Sequence, residues 1–139
     1  MNKIFLALLI CFFSTNLLSK ENNDYFKKGK ENYKKKNIDK AKLNFEKDIV
    51  RNRKNIKSYL FLAKIHKEKK NNQEFEKYLK TVLILDPKNE EALYLLIIKK
   101  IKDADYDFAS EKFEIFSKYC SKLCSKKIEI DRLIKKSKS

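Results

Sequence analysis

Three stretches of this 139-residue chain echo one another at a spacing of 34, starting near Asn22, Ile56 and Glu90. A period of that length constrains the fold strongly. Each copy must be one small supersecondary unit that buries its apolar face against a neighbouring copy. The pattern inside each copy is helical. In the first, Tyr25, Gly29 and Tyr33 lie four apart, Lys35-Lys36-Asn37 forms a polar turn, and Ile38, Ala41, Phe45 and Ile49 recur at three and four. In the second, Tyr59, Leu62, Ala63 and His66 precede a turn at Asn71-Asn72, where Glu74 is placed to complete a cap with Asn71. Phe75, Tyr78, Leu79, Val82 and Leu83 then form the next stripe. In the third, Leu93, Leu96, Ile97 and Ile101 lead to a turn around Asp103 to Asp105, then to Tyr106, Ala109, Phe113 and Phe116. Each stripe covers about 100° of a helix surface, enough to pack one face.

Composition supports helices and excludes much else. Gly and Pro occur once each. Sandwiches and barrels need many turns, and phosphate-cradling loops need several glycines. Charged residues reach 38%, against about 25% in an average domain. Disorder is the competing reading of so much Lys, Glu and Asn. Ten Phe and seven Tyr, placed periodically, argue against it.

These residues resemble the tetratricopeptide repeat, a 34-residue helix-turn-helix with a fixed order of large and small packing positions. Gly29 and Ala63 stand where that family has a small residue midway along the first helix. Ala41 and Ala109 match the small residue opening the second helix, and Phe45 and Phe113 match the aromatic one turn later. Leu85-Asp86-Pro87-Lys88-Asn89 matches the family's closing joint: Pro87 ends one helix and Asn89 caps the next, with Glu90 and Glu91 at its positive end. The chain departs from the pattern at Phe75 and Ile97, which are large where small residues are usual. Arg53 and Ser121 stand in place of the proline.

The resemblance implies an all-α solenoid of about three repeats, 22–55, 56–89 and 90–121, within a domain 20–121. Residues 122–139 form a capping helix and basic tail, with Ile130, Leu133 and Ile134 as its apolar stripe. A basic amphipathic helix that meets a membrane or a partner is the other reading of that stripe. The resemblance also implies a concave groove, lined by the first helices, that holds a peptide or a partner's helix. Carried over by alignment, its residues are Phe26, Lys30, Tyr33, Leu60, Lys64, Lys67, Tyr94 and Ile98. Lysines beside aromatics suit an acidic segment. Phe26, Lys30 and Phe61 occupy positions where chaperone-binding members carry parts of a Lys and Asn clamp, so that activity is not carried over.

The first nineteen residues read as an export signal of bacterial type. Lys3 precedes ten unbroken apolar residues, Ile4 to Phe13, and a more polar stretch ends on the small Ser19. The apolar run is short for a membrane span, which needs about 20 residues. Cleavage after Ser19 places the protein in the periplasm or outside the cell, and an uncleaved segment would anchor it. Cys11 is not a good lipoprotein site, because bulky Ile10 precedes it and the apolar run continues beyond it. The net charge is +15, nearly all from Lys, with Arg only at 51, 53 and 132. Lys, Asn and Ile are abundant together, as AT-rich coding would produce, and this weakens the charge as a clue to a partner.

Chemistry is sparse. His66 is the only histidine and falls on a buried stripe without the partners that acid–base work requires. Asp103, Asp105 and Asp107 alternate like the start of a calcium loop, but no glycine follows, so they read as turn and cap residues. No catalytic residue, metal site or cofactor is assigned. Cys120 and Cys124 are the even pair left after cleavage, which in an oxidising compartment suits one disulfide. Residues four apart on a regular helix sit about 6 Å apart at Cα, so a bond between them needs the helix to end near Ser121 or Lys122. Free thiols and a redox pair remain open. The function expected is an exported adaptor for protein or peptide partners, not an enzyme, with self-association at an open end as a further outcome. The alternatives are a basic surface for anionic lipid or nucleic acid, against which export counts in the case of nucleic acid, and a thiol–disulfide protein.

Overall fold

The computed structural model describes residues 25–137, so the export segment read at 1–19 lies outside the described residues. All regular structure among them is helical: α1 over residues 25–34, α2 Ile38–Arg51, α3 Ile56–Glu68, α4 Asn72–Leu85, α5 Glu90–Lys102, α6 Tyr106–Tyr119, a 3-10 turn Cys124–Lys126, and α7 Lys127–Ser137. The described helices pair as hairpins, α1 with α2, α3 with α4 and α5 with α6.

The period reappears in the backbone. Lys36, Lys70 and Ala104, each 34 residues from the next, have φ of 61°, 57° and 60°. Each ends the first helix of a hairpin by the same two bonds. The N–H of Lys36, Lys70 and Ala104 donates to the carbonyl of Tyr33, Lys67 and Ile101. The next N–H, of Asn37, Asn71 and Asp105, donates to Asn32, His66 and Lys100. This is the Schellman closure, which satisfies carbonyls that a helix end would leave unpaired.

That closure explains why the cap foreseen at Asn71 is only half built. Asn71 Oδ1 accepts from the Glu74 N–H at 3.2 Å. The Asn71 N–H is already committed to His66, so the Glu74 carboxylate turns to Lys77 at 3.0 Å. Asp105 likewise stands at the start of α6 but makes no side-chain cap there. Its carboxylate lies 3.3 Å from Lys100.

The chain divides into two compact units, one ending at Ser58 and one beginning at Tyr59. In the first, Ala41 and Phe45 are fully buried. Gly29 is required by space: a Cβ there would lie 2.6 Å from Phe45 Cε1 and 2.7 Å from Cδ1. Asp48, 1% exposed, accepts at Oδ2 from Ser58 Oγ and Asn55 Nδ2, both at 2.6 Å, and so holds the end of α2 to the start of α3.

In the second unit, Leu62, Ala63, Ile65, Leu79, Val82, Ala92 and Leu96 are fully buried. His66 is buried and stacks on Tyr78, with ring centroids 5.4 Å apart. Asn89 starts α5 as its motif indicates, its Oδ1 accepting from the Ala92 N–H at 3.1 Å. Ile97 fills the position that Gly29 and Ala63 hold elsewhere. Phe113 is only half-buried there, and Phe116 is the ring that is fully enclosed. Ile130 and Ile134 of α7 join Leu93, Ile97, Ala109 and Phe116 in one cluster, so α7 closes the third hairpin.

Candidate functional site

The residues expected to line a groove lie on α1, α3 and α5, and none of the eight is fully buried. Three of them, Phe26, Lys30 and Tyr33, belong to the first unit. The Phe26 ring lies 6.0 Å from that of Phe45, and the Lys30 ammonium 5.7 Å from the Phe26 ring. Phe26 therefore packs partly into its own hairpin.

The other five lie in the second unit and differ in what they offer. Lys64 is engaged, with Nζ 2.7 Å from Glu91 and 5.3 Å from the Phe61 ring. Tyr94 packs against the third-hairpin cluster, its ring 6.5 Å from Phe116 and under the Lys126 ammonium at 5.9 Å. Leu60 is half-buried on α3. Lys67 and Ile98 are brought together, because both line one cavity of about 340 Å³. Phe75, 3% exposed, and Leu95 share its apolar lining with Ile98. Lys67, Lys70, Lys99 and Lys102 surround it, with Asn72 beside them and no acidic residue in the wall.

Six of these cavity residues, Lys70, Asn72, Phe75, Leu95, Lys99 and Lys102, are not among those expected from sequence. Lysine runs read as solvated faces. The signal available was their placement: basic residues gather before two turns one repeat apart, at Lys67 to Lys70 and Lys99 to Lys102. Lys99 pairs with Asp103. Lys67, Lys70 and Lys102 take part in no ion pair among the described residues, and Lys67 Nζ sits 6.0 Å from the Phe75 ring.

Beside this cavity runs an ion network. Lys100 lies 3.0 Å from Glu76, which also binds Lys80 at 2.7 Å. Hydrogen bonds from Lys80 and then Lys100 hold the Glu76 carboxyl below its usual range, against some desolvation. Glu76 in turn raises Lys100. These contacts tie α4 to α5 and so fix two of the cavity's walls.

At the far end of α6 the chain leaves the helix at Cys120, whose backbone is extended. Cys120 and Cys124 are joined by a disulfide with Cα atoms 5.3 Å apart. The three residues between them donate backbone N–H groups to one carboxylate, that of Glu90: Ser121 at 2.8 Å, Lys122 at 3.0 Å and Leu123 at 3.1 Å. These bonds, led by Ser121, lower the Glu90 pKa. Among the described residues no three or more metal-ligating side chains converge, and no helix is long and apolar enough to cross a membrane.

No family model matches the sequence, and no curated protein matches it. Solved structures do match the fold. The TPR2B domain of yeast Sti1, in complex with pHsp70, superposes with a TM-score of 0.69 at 19% identity, covering 86% of this chain and 97% of that one. The Arabidopsis OM64 TPR domain gives 0.70 at 22% identity, covering 84% and 96%. The first TPR of Spaghetti (RPAP3), bound to the HSP90 peptide SRMEEVD, gives 0.73 at 14% identity, covering 87% and 98%. With the 34-residue backbone period and the closing helix α7, these likenesses show that the chain has the tetratricopeptide-repeat fold, an all-α helical-repeat solenoid.

Proposed function

We propose that the chain is an exported adaptor that holds a peptide or a partner's helix against the first helices of its repeats. The observation that carries this reading is the surface of α3 and α5 in the second unit. Leu60, Tyr94 and Ile98 are only partly buried there, and Ile98 lines one cavity with the exposed Lys67, so apolar and basic groups are presented together on these first helices. Such surfaces bind through a few apolar anchors framed by polar groups. The Sti1 domain in complex with pHsp70 and the Spaghetti domain bound to an HSP90 peptide support the same use of this fold. The cysteine pair is built into a corner that anchors α7, which favours a structural role over a redox one.

The test places a photo-crosslinking residue at Lys67 or at Lys77, whose side chain is 62% exposed on α4. One discrete crosslinked species from an envelope extract at Lys67, absent at Lys77, is the expected result. Equal capture at both positions, or at neither, overturns the reading. Export is tested separately by cell fractionation and N-terminal sequencing, with the mature chain expected to begin at Lys20.

A further inference from the structure

The cavity between α3, α4 and α5 has a chemistry more specific than a general peptide-binding face. Its lining combines Phe75, Leu95 and Ile98 with four lysines and no acid. Three of the four ammonium groups have no carboxylate among the described residues. These exposed charges are open to an acidic ligand, and their mutual repulsion falls when one arrives. Asn72, the first residue of α4, adds the positive end of a helix to the same wall. The volume, about 340 Å³, lies at the small end for ligand sites and is ample for one large side chain.

We propose that this cavity receives a single aromatic or large aliphatic side chain of a partner peptide whose neighbouring residues are acidic. The apolar lining accepts the side chain, and Lys67, Lys70 and Lys102 meet the flanking carboxylates. The lining argues against a bare anion: Phe75, Leu95 and Ile98 offer phosphate oxygens nothing, and the wall has no arginine fork for them. This inference rests on the adaptor reading and gives its site a ligand class.

The probe is a blocked five-residue peptide with one phenylalanine between two pairs of aspartates, titrated into the full-length mature protein and followed by backbone amide shifts. Shifts are expected at Asn72, Phe75, Leu95 and Ile98. The Lys67→Gln/Lys102→Gln double variant changes two exposed side chains, so its fold is expected to hold. Its affinity should fall about tenfold, as two partly screened charge pairs predict. Replacing the central phenylalanine by alanine should abolish saturable binding.

Binding that survives that alanine replacement would make the site a charged surface only and overturn the proposal. So would inorganic phosphate or phosphatidylglycerol vesicles that displace the peptide and produce the same shifts. Shifts at Leu60 and Tyr94 without any at Phe75 would remove the cavity and keep the adaptor. No shifts at either place, with this peptide and with a neutral peptide that keeps the phenylalanine, would remove both.

Discussion

The joint between α2 and α3 and the joint between α4 and α5 occupy the same register and are held in different ways. Both carry an asparagine, Asn55 and Asn89, 34 residues apart. In the first joint its amide donates to Asp48 at 2.6 Å, and Ser58 donates to the same buried carboxylate. In the second, Asn89 donates to Asp86 at 3.1 Å, outside the core. The positions that match Asp48 and Ser58 are Val82 and Ala92, both fully buried. One joint thus encloses a polar pair in which each member satisfies the other, and the other encloses two apolar residues. The repeat dictates where the backbone goes. It leaves the joint free to be polar or apolar, provided no polar group is enclosed without its counterpart.

The sharpest way to break this comparison is to exchange the fillings one residue at a time. Asp48→Val should cost about 3 kcal/mol, because it strands the buried Ser58 hydroxyl and releases Asn55. Adding Ser58→Ala gives the first joint the buried apolar pair of the second and should recover most of that loss. Urea unfolding, read by amide exchange in α2 and α3, measures both. A double variant as unstable as the single one would mean that the carboxylate itself shapes the first joint.

The third joint, after α6, uses neither device. It wraps a disulfide around three N–H groups that share Glu90. Opening a loop this short should cost about 2 kcal/mol by chain entropy alone. Reduction is therefore expected to lower the exchange protection of Ile130 and Ile134 in α7 before that of Leu62 in α3. Glu90 adds a pH signature. Its pKa is lowered in the fold, so its stabilisation is complete above the ordinary value near 4.5 and is lost as pH falls through the lower folded value. Glu90→Gln should flatten the acid limb for α7. An acid limb that stays unchanged would assign it to Glu76, whose pKa is lowered in the same direction.

The two joints also show what could be read from sequence. Asp86-Pro87-Lys88-Asn89 was legible because every contact that makes it work lies within three residues: Asn89 caps Ala92 and binds Asp86. Ala41, Ala63 and Ala109, all fully buried, were legible because helical spacing alone puts them inside. Asp48 was not, since an aspartate on a lysine-rich helix is usually solvated and its reason for burial lies ten residues on. Glu90 was placed at the start of α5 correctly, but its ligands are 31 to 33 residues away. The cavity required α3, α4 and α5 at once, so only Lys67 and Ile98 of its lining were foreseen.

Inside the hairpins the comparison runs from Gly29 to Ile97, which share a register. Gly29→Ala would gain about 1 kcal/mol of helix propensity. The new methyl would meet the Phe45 ring at 2.6 Å, and that ring is fully buried with Phe26 beside it. Overpacking of this kind costs about 1–3 kcal/mol, so the variant should be less stable by about 1 kcal/mol. A stabilised variant would show that Phe45 can shift and that the first hairpin, like the third, tolerates volume at this point.

The smallest effect has the opposite sign. The one glycine of the chain sits inside a helix, where space demands it. Among the described residues, the three positions with φ near +60° carry Lys36, Lys70 and Ala104 instead. Side chains in that backbone region are strained, and glycine is the usual residue at this point of a Schellman closure. Ala104→Gly should therefore raise stability by about 0.5–1 kcal/mol, the relief of strain exceeding the extra freedom glycine gives the unfolded chain. Lys36→Gly should do the same for the first hairpin. Lys70→Gly adds a separate reading, because Lys70 belongs to the cavity rim. It should stabilise the α3–α4 hairpin while weakening the acidic peptide a few-fold, the loss expected for one exposed charge. Thermal melts and peptide titrations of the three variants together separate backbone relief, common to all, from ligand contact, confined to Lys70.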